Sequence, residues 1–84
     1  MEYRLLIDLE TISALDRLPK TLRLRLLDQF TKIRTFPSNY SDYHETDAVG
    51  RRIEISVHAG WAIHYWIDSA DRHVKVLALR PADQ

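Results

Sequence analysis

Apolar and polar positions alternate over Glu2–Ile7, with Tyr3, Leu5 and Ile7 on one side, which predicts a short strand buried on one face. From Asp8 the spacing lengthens to three and four. Ile12, Leu15 and Leu18, with Ala14, then predict a short amphipathic helix capped by Asp8 or Thr11. Pro19 stops that helix and suits the first turn of the next, where its missing N–H has no intrahelical partner to lose. Over Lys20–Phe36, Leu22, Leu26, Phe30 and Ile33 form one helical stripe with Leu27 at its edge, while Arg25, Asp28 and Lys32 lie opposite. Pro37 ends this helix by pushing its predecessor out of the helical region.

Ser38–Val49 is polar and without a period, so it reads as a loop, and a loop that long in a small domain is often functional. After Gly50 the period is two. Ile53, Ile55 and Val57 alternate with Arg52, Glu54, Ser56 and His58. Beyond a turn at Ala59–Gly60, Trp61, Ile63, Tyr65 and Ile67 alternate with Ala62, His64 and Trp66. A second turn at Asp68–Asp71 leads into His73–Leu79, apolar in both phases apart from Lys75, as in a central strand. The expected fold class is therefore α+β in a single domain over residues 1–84: two N-terminal helices packed on one face of a four-stranded, mostly antiparallel sheet.

Composition removes several kinds of chemistry. Without cysteine there are no disulfides, thiol nucleophiles or thiolate metal sites. The histidines His44, His58, His64 and His73 show neither H-x₃-H nor HExxH spacing, so no metal is expected, and no glycine-rich motif calls for a cofactor. Apolar runs are too short for a membrane span, and the expected compartment is the cytoplasm. Twelve basic and twelve acidic residues cancel to zero, which counts against a protein that lives by gripping phosphates. Only the distribution is uneven: residues 37–50 carry three acidic groups and no Lys or Arg.

If the odd-numbered residues from Ile53 to Ile67 face the helices, pleating puts Arg52, Glu54, Ser56, His58, Ala62, His64 and Trp66 on the uncovered face, with Arg80 beside them. An imidazole that titrates near neutrality can move a proton, a guanidinium can hold a phosphate, and an indole can stack a base. Those are the parts for cutting a phosphodiester. The same residues also fit a plain, wet sheet face, with Arg52 and Glu54 as cross-strand partners. Trp66 is the least suited to water, and an exposed indole of this kind fits a nucleic-acid base, a partner protein or a second copy of the chain.

Five stretches taken in order are similar to a known pattern: Leu15-Asp-Arg-Leu-Pro19, a long helix closing on Phe36-Pro37, Gly50-Arg51-Arg52-Ile53-Glu54-Ile55, Gly60-Trp61-Ala62-Ile63-His64-Tyr65-Trp66-Ile67-Asp68, and Val74-Lys75-Val76-Leu77-Ala78-Leu79-Arg80. Across essentially its whole length the chain resembles the RelE/ParE superfamily of bacterial type II toxin–antitoxin systems. The resemblance implies a cytoplasmic toxin wrapped by a cognate antitoxin. RelE-type members cut mRNA on the ribosome with side chains of the sheet face, whereas ParE-type members bind DNA gyrase. It implies basic groups at Arg52 and near Arg80, and an Arg where this chain has Ala62.

The expected catalytic residues are therefore His64, His58, Arg52 and Arg80, with Trp66, Glu54 and Arg51 contacting substrate or partner. The expected function is that of a RelE-like, ribosome-dependent mRNA endoribonuclease. Its alternative is a catalytically silent or ParE-like member that binds antitoxin, gyrase or itself.

Overall fold

The computed structural model describes residues 3–83. Strand β1 (Arg4–Ile7) leads through helices α1 (Leu9–Asp16) and α2 (Lys20–Thr35) into β2 (Tyr43–Thr46), β3 (Arg52–His58), β4 (Trp61–Asp68) and β5 (His73–Pro81). Glu2, placed in the first strand by its pattern, lies outside the described residues. The Asp8 carboxylate caps α1 by accepting from the Glu10 N–H at 3.3 Å. Pro19 is the N-cap of α2, and the helix stops at Thr35, one residue short of the Phe36-Pro37 break.

The sheet has five strands rather than four, in the order β1-β5-β4-β3-β2. It is mixed: β1 runs parallel to β5 (Arg4 beside His73 to Ile7 beside Val76), and the other three pairs are antiparallel. The extra strand is β2, inside the segment read as a loop. All four of its side chains are exposed, so no amphipathic period marks it. What holds β2 is its pairing with β3, reinforced where the Val57 N–H donates to the Asp42 carboxylate at 2.6 Å and the Asp42 N–H donates to the Ile55 carbonyl at 2.8 Å.

One core joins both helices to one face of the sheet: Leu15 of α1, Leu26, Phe30 and Ile33 of α2, Ile63 and Tyr65 of β4, and Val74, Val76 and Leu79 of β5. Tyr65 is fully buried, and its hydroxyl donates to the Pro37 carbonyl at 2.6 Å, tying the end of α2 to the sheet. Burial raises the pKa of that phenol, so it stays a proton donor.

The pleat of β3 is the reverse of that expected. The turn at Ala59–Gly60 has two residues, both at positive φ (52° and 81°), and it pairs His58 with Trp61. Even-numbered residues of β3 therefore stand opposite odd-numbered residues of β4 and share their face. Glu54 pairs with Tyr65 and Ser56 with Ile63 on the helix side, where the Gln29 amide of α2 donates to the buried Ser56 hydroxyl at 3.1 Å. Ile55 and Val57 stand beside His64 and Ala62 on the face without helices. Gly60 has open space where a Cβ would sit, so only its backbone conformation is at stake. Gly60→Ala should destabilise the fold by about 1–2 kcal/mol, read as a lower urea midpoint with an unchanged slope.

Candidate functional site

The reversed pleat decides which candidate residues can work together. On the helix-free face β2 contributes Tyr43 and Glu45, β3 contributes Ile53, Ile55 and Val57, β4 contributes Ala62, His64 and Trp66, and β5 contributes Lys75, Ala78 and Arg80. His64 and Arg80 line one cavity of about 210 Å³ with Tyr43, Glu45, Ala62, Pro81 and Ala82. Ala62 is paired directly with Arg80 across β4 and β5. The floor nearby is apolar, since Ile53 and Ile55 are buried although no helix covers them.

A bulge sets the aim of His64. The β4–β5 register shifts between His64 and Tyr65: Tyr65 pairs with Val76, His64 pairs with Ala78, and Leu77 is left without a partner. Such an extra residue bends its strand and redirects the neighbouring side chains. Burial, then the positive charge of Arg80, hold the His64 pKa below its ordinary 6.5, with Glu45 pulling the other way. The imidazole is therefore neutral at neutral pH and can accept a proton.

Trp66 lies two residues along the same face. Its ring carries Arg51 at 5.1 Å and Lys75 at 4.7 Å from the centroid, and both cations are held from behind, Arg51 by Asp47 at 2.7 Å and Lys75 by Asp68 at 3.3 Å. The indole is thus half-buried in a charged cluster rather than bare.

Three of the expected residues leave this face. Glu54 turns to the helix side, buried, where it accepts from the Ser41 hydroxyl and from Arg52 Nε, each at 2.7 Å. Arg52 alternates to the same side, where it lines a separate polar cavity of about 360 Å³ with Ser38, Ser41, Asp42, Tyr43, His44 and Glu54. His58 stands opposite core-facing Trp61 at the end of the hairpin. The physical reason is the same for all three: a two-residue turn inverts the phase of one strand against the next. The residues that sequence reasoning missed are Tyr43 and Glu45, which reach the cavity from the unrecognised edge strand.

No protein-family model and no curated protein matches this sequence. Solved structures do match the fold. The archaeal RelE–RelB complex from Pyrococcus horikoshii OT3 superposes with a TM-score of 0.82 at 23% identity, over 96% of each chain. The RelBE2 toxin–antitoxin complex from Mycobacterium tuberculosis gives 0.83 at 12% identity, over 96% of this chain and 99% of that one. The fold is that of RelE. The isolated Escherichia coli RelE toxin gives 0.72 at 15% identity, with this chain spanning 86% of its length. In this chain the cavity on the helix-free face holds one imidazole and one guanidinium, over an apolar floor.

Proposed function

We propose that this chain is the toxin component of a type II toxin–antitoxin system, cytoplasmic and neutralised by a cognate antitoxin, and that it cuts mRNA on the ribosome. The observation that carries the reading is the convergence of His64 and Arg80 on one cavity of the uncovered face, within a fold shared with RelE–RelB complexes. In the reaction the neutral His64 imidazole takes the proton of a ribose 2′-hydroxyl, and the freed oxygen attacks the adjacent phosphorus. Arg80 offsets the charge that builds on the phosphoryl oxygens. The 5′-oxygen leaves with a proton from solvent, so the products are a 2′,3′-cyclic phosphate and a 5′-hydroxyl. Glu45 supports the imidazolium that forms, consistent with its opposing pull on His64. Ala62 gives Arg80 no second cation, a loss of about 10²–10³ in rate relative to a site with one more charged donor.

One observation favours a second reading, in which the chain is catalytically silent and binds gyrase or another protein. Ile53, Ile55, Val57 and Ala62 make an apolar floor on a protein of zero net charge, which suits a protein partner better than a phosphate backbone. Primer extension on translated mRNA during induction separates the two. Cuts that appear only in translated messages support the endoribonuclease. Growth arrest without cuts, relieved by Trp66→Ala, supports the binder. Normal growth on induction of the antitoxin-free chain overturns the toxin assignment.

A further inference from the structure

At the far end of the same sheet, the β4–β5 hairpin gathers groups that the proposed reaction does not use. Asp68 and His73 face each other as cross-strand partners at its mouth, and Asp71 stands in the turn between them. One donor atom from each of the three lies within 4.8 Å of the other two. Their present bonding is incomplete. His73 Nδ1 is buried without a hydrogen-bond partner among the described residues, a condition that native proteins rarely leave unexplained. The Asp71 carboxylate has no ion-pair or hydrogen-bond partner among the described residues. Asp68 holds the Asp71 N–H and the Lys75 ammonium, but both at 3.3 Å, long for bonds to a charged group.

We infer that Asp68, Asp71 and His73 form a binding site for a divalent transition-metal cation of the zinc type, with solvent completing the shell. Two carboxylate oxygens and one imidazole nitrogen are donors that zinc accepts at about 2.0–2.2 Å, so the three side chains need only close inward around the ion. The His73 imidazole, whose Nδ1 has no hydrogen-bond partner among the described residues, gains a ligand bond, and the Asp68–Lys75 contact gives way to a stronger one. Because Lys75 also sits over the Trp66 ring, occupancy at the hairpin changes the environment of that indole. The site thereby reports, through Lys75, on the face that carries His64. This inference is independent of the proposed reaction.

The test is a titration of the intact protein with Zn²⁺, followed by calorimetry and by Trp66 fluorescence in a Trp61→Phe background. A saturable one-to-one uptake with a change in Trp66 emission is expected. Asp71→Asn, an exposed and structurally harmless change, and His73→Gln should each weaken it by about tenfold or more. Lys75→Met, which removes the competing cation, should tighten it. Uptake that is undiminished in both ligand variants would assign the ion to other histidines and overturn the inference. So would the absence of saturable binding up to about 1 mM Zn²⁺. Melting curves of each variant without metal separate loss of the site from loss of the fold.

Discussion

His64→Ala is expected to lower mRNA cleavage by about 10²–10⁴-fold, the usual range for removing a positioned acid–base group, and to restore growth on induction. The variant leaves the sheet intact because His64 is only half-buried and stands on the helix-free side. The pH profile supplies a second check. A base must be neutral to work, so activity falls as pH drops through the folded pKa of His64, and that pKa lies below 6.5. The acid limb should therefore sit below the ordinary histidine range, and Arg80→Gln, which removes the charge that helps to depress it, should move that limb upward. An unchanged cleavage rate in His64→Ala would take the imidazole out of the mechanism.

Phe30→Ala should produce the largest loss of stability. Phe30 is 1% exposed and lies where α2 meets the sheet, in contact with the single core that both helices share. Truncating a buried phenylalanine costs about 3–5 kcal/mol through lost transfer energy and the cavity left behind. A domain of this size is held by only about 4–12 kcal/mol in total. The expected result is a melting transition lowered by well over ten degrees, or a chain that stays unfolded at 37 °C. Calorimetry or far-ultraviolet circular dichroism reads it directly. A shift of only a few degrees would mean that α2 does not seal the core as described.

Much of the fold was legible because local chemistry and packing agree. Asp8, Pro19 and Pro37 mark the helix ends, and the stripe of Leu22, Leu26, Phe30 and Ile33 is the packed face, with Leu22 partly buried at its margin. The phase of β3 was harder, since Ile53, Ile55 and Val57 look like a core-facing set yet lie on the uncovered side. The decisive clue was turn length. With Ala59 and Gly60 as the whole turn, His58 must face the same way as Trp61, so both strands cannot point their odd residues inward. β2 gave no such clue, because Tyr43, His44, Glu45 and Thr46 are all exposed and their alternation separates polar from polar. That His64, Arg80 and Trp66 share one face was therefore visible, whereas the place of Tyr43 and Glu45 beside them became visible only through pairing.

The position of β5 has a consequence for synthesis. β5 is not an edge but lies between β1 and β4, and among the described residues β1 has no other neighbour in the sheet. Arg4–Ile7 must therefore wait for His73–Val76 to emerge, a closure over nearly the whole sequence that is slow by its nature. A nascent or truncated chain ending before residue 73 would present two unsatisfied strand borders at once, making it prey for proteases and prone to clumping. Pairing of β5 with β4 is what brings His64 and Arg80 onto one surface.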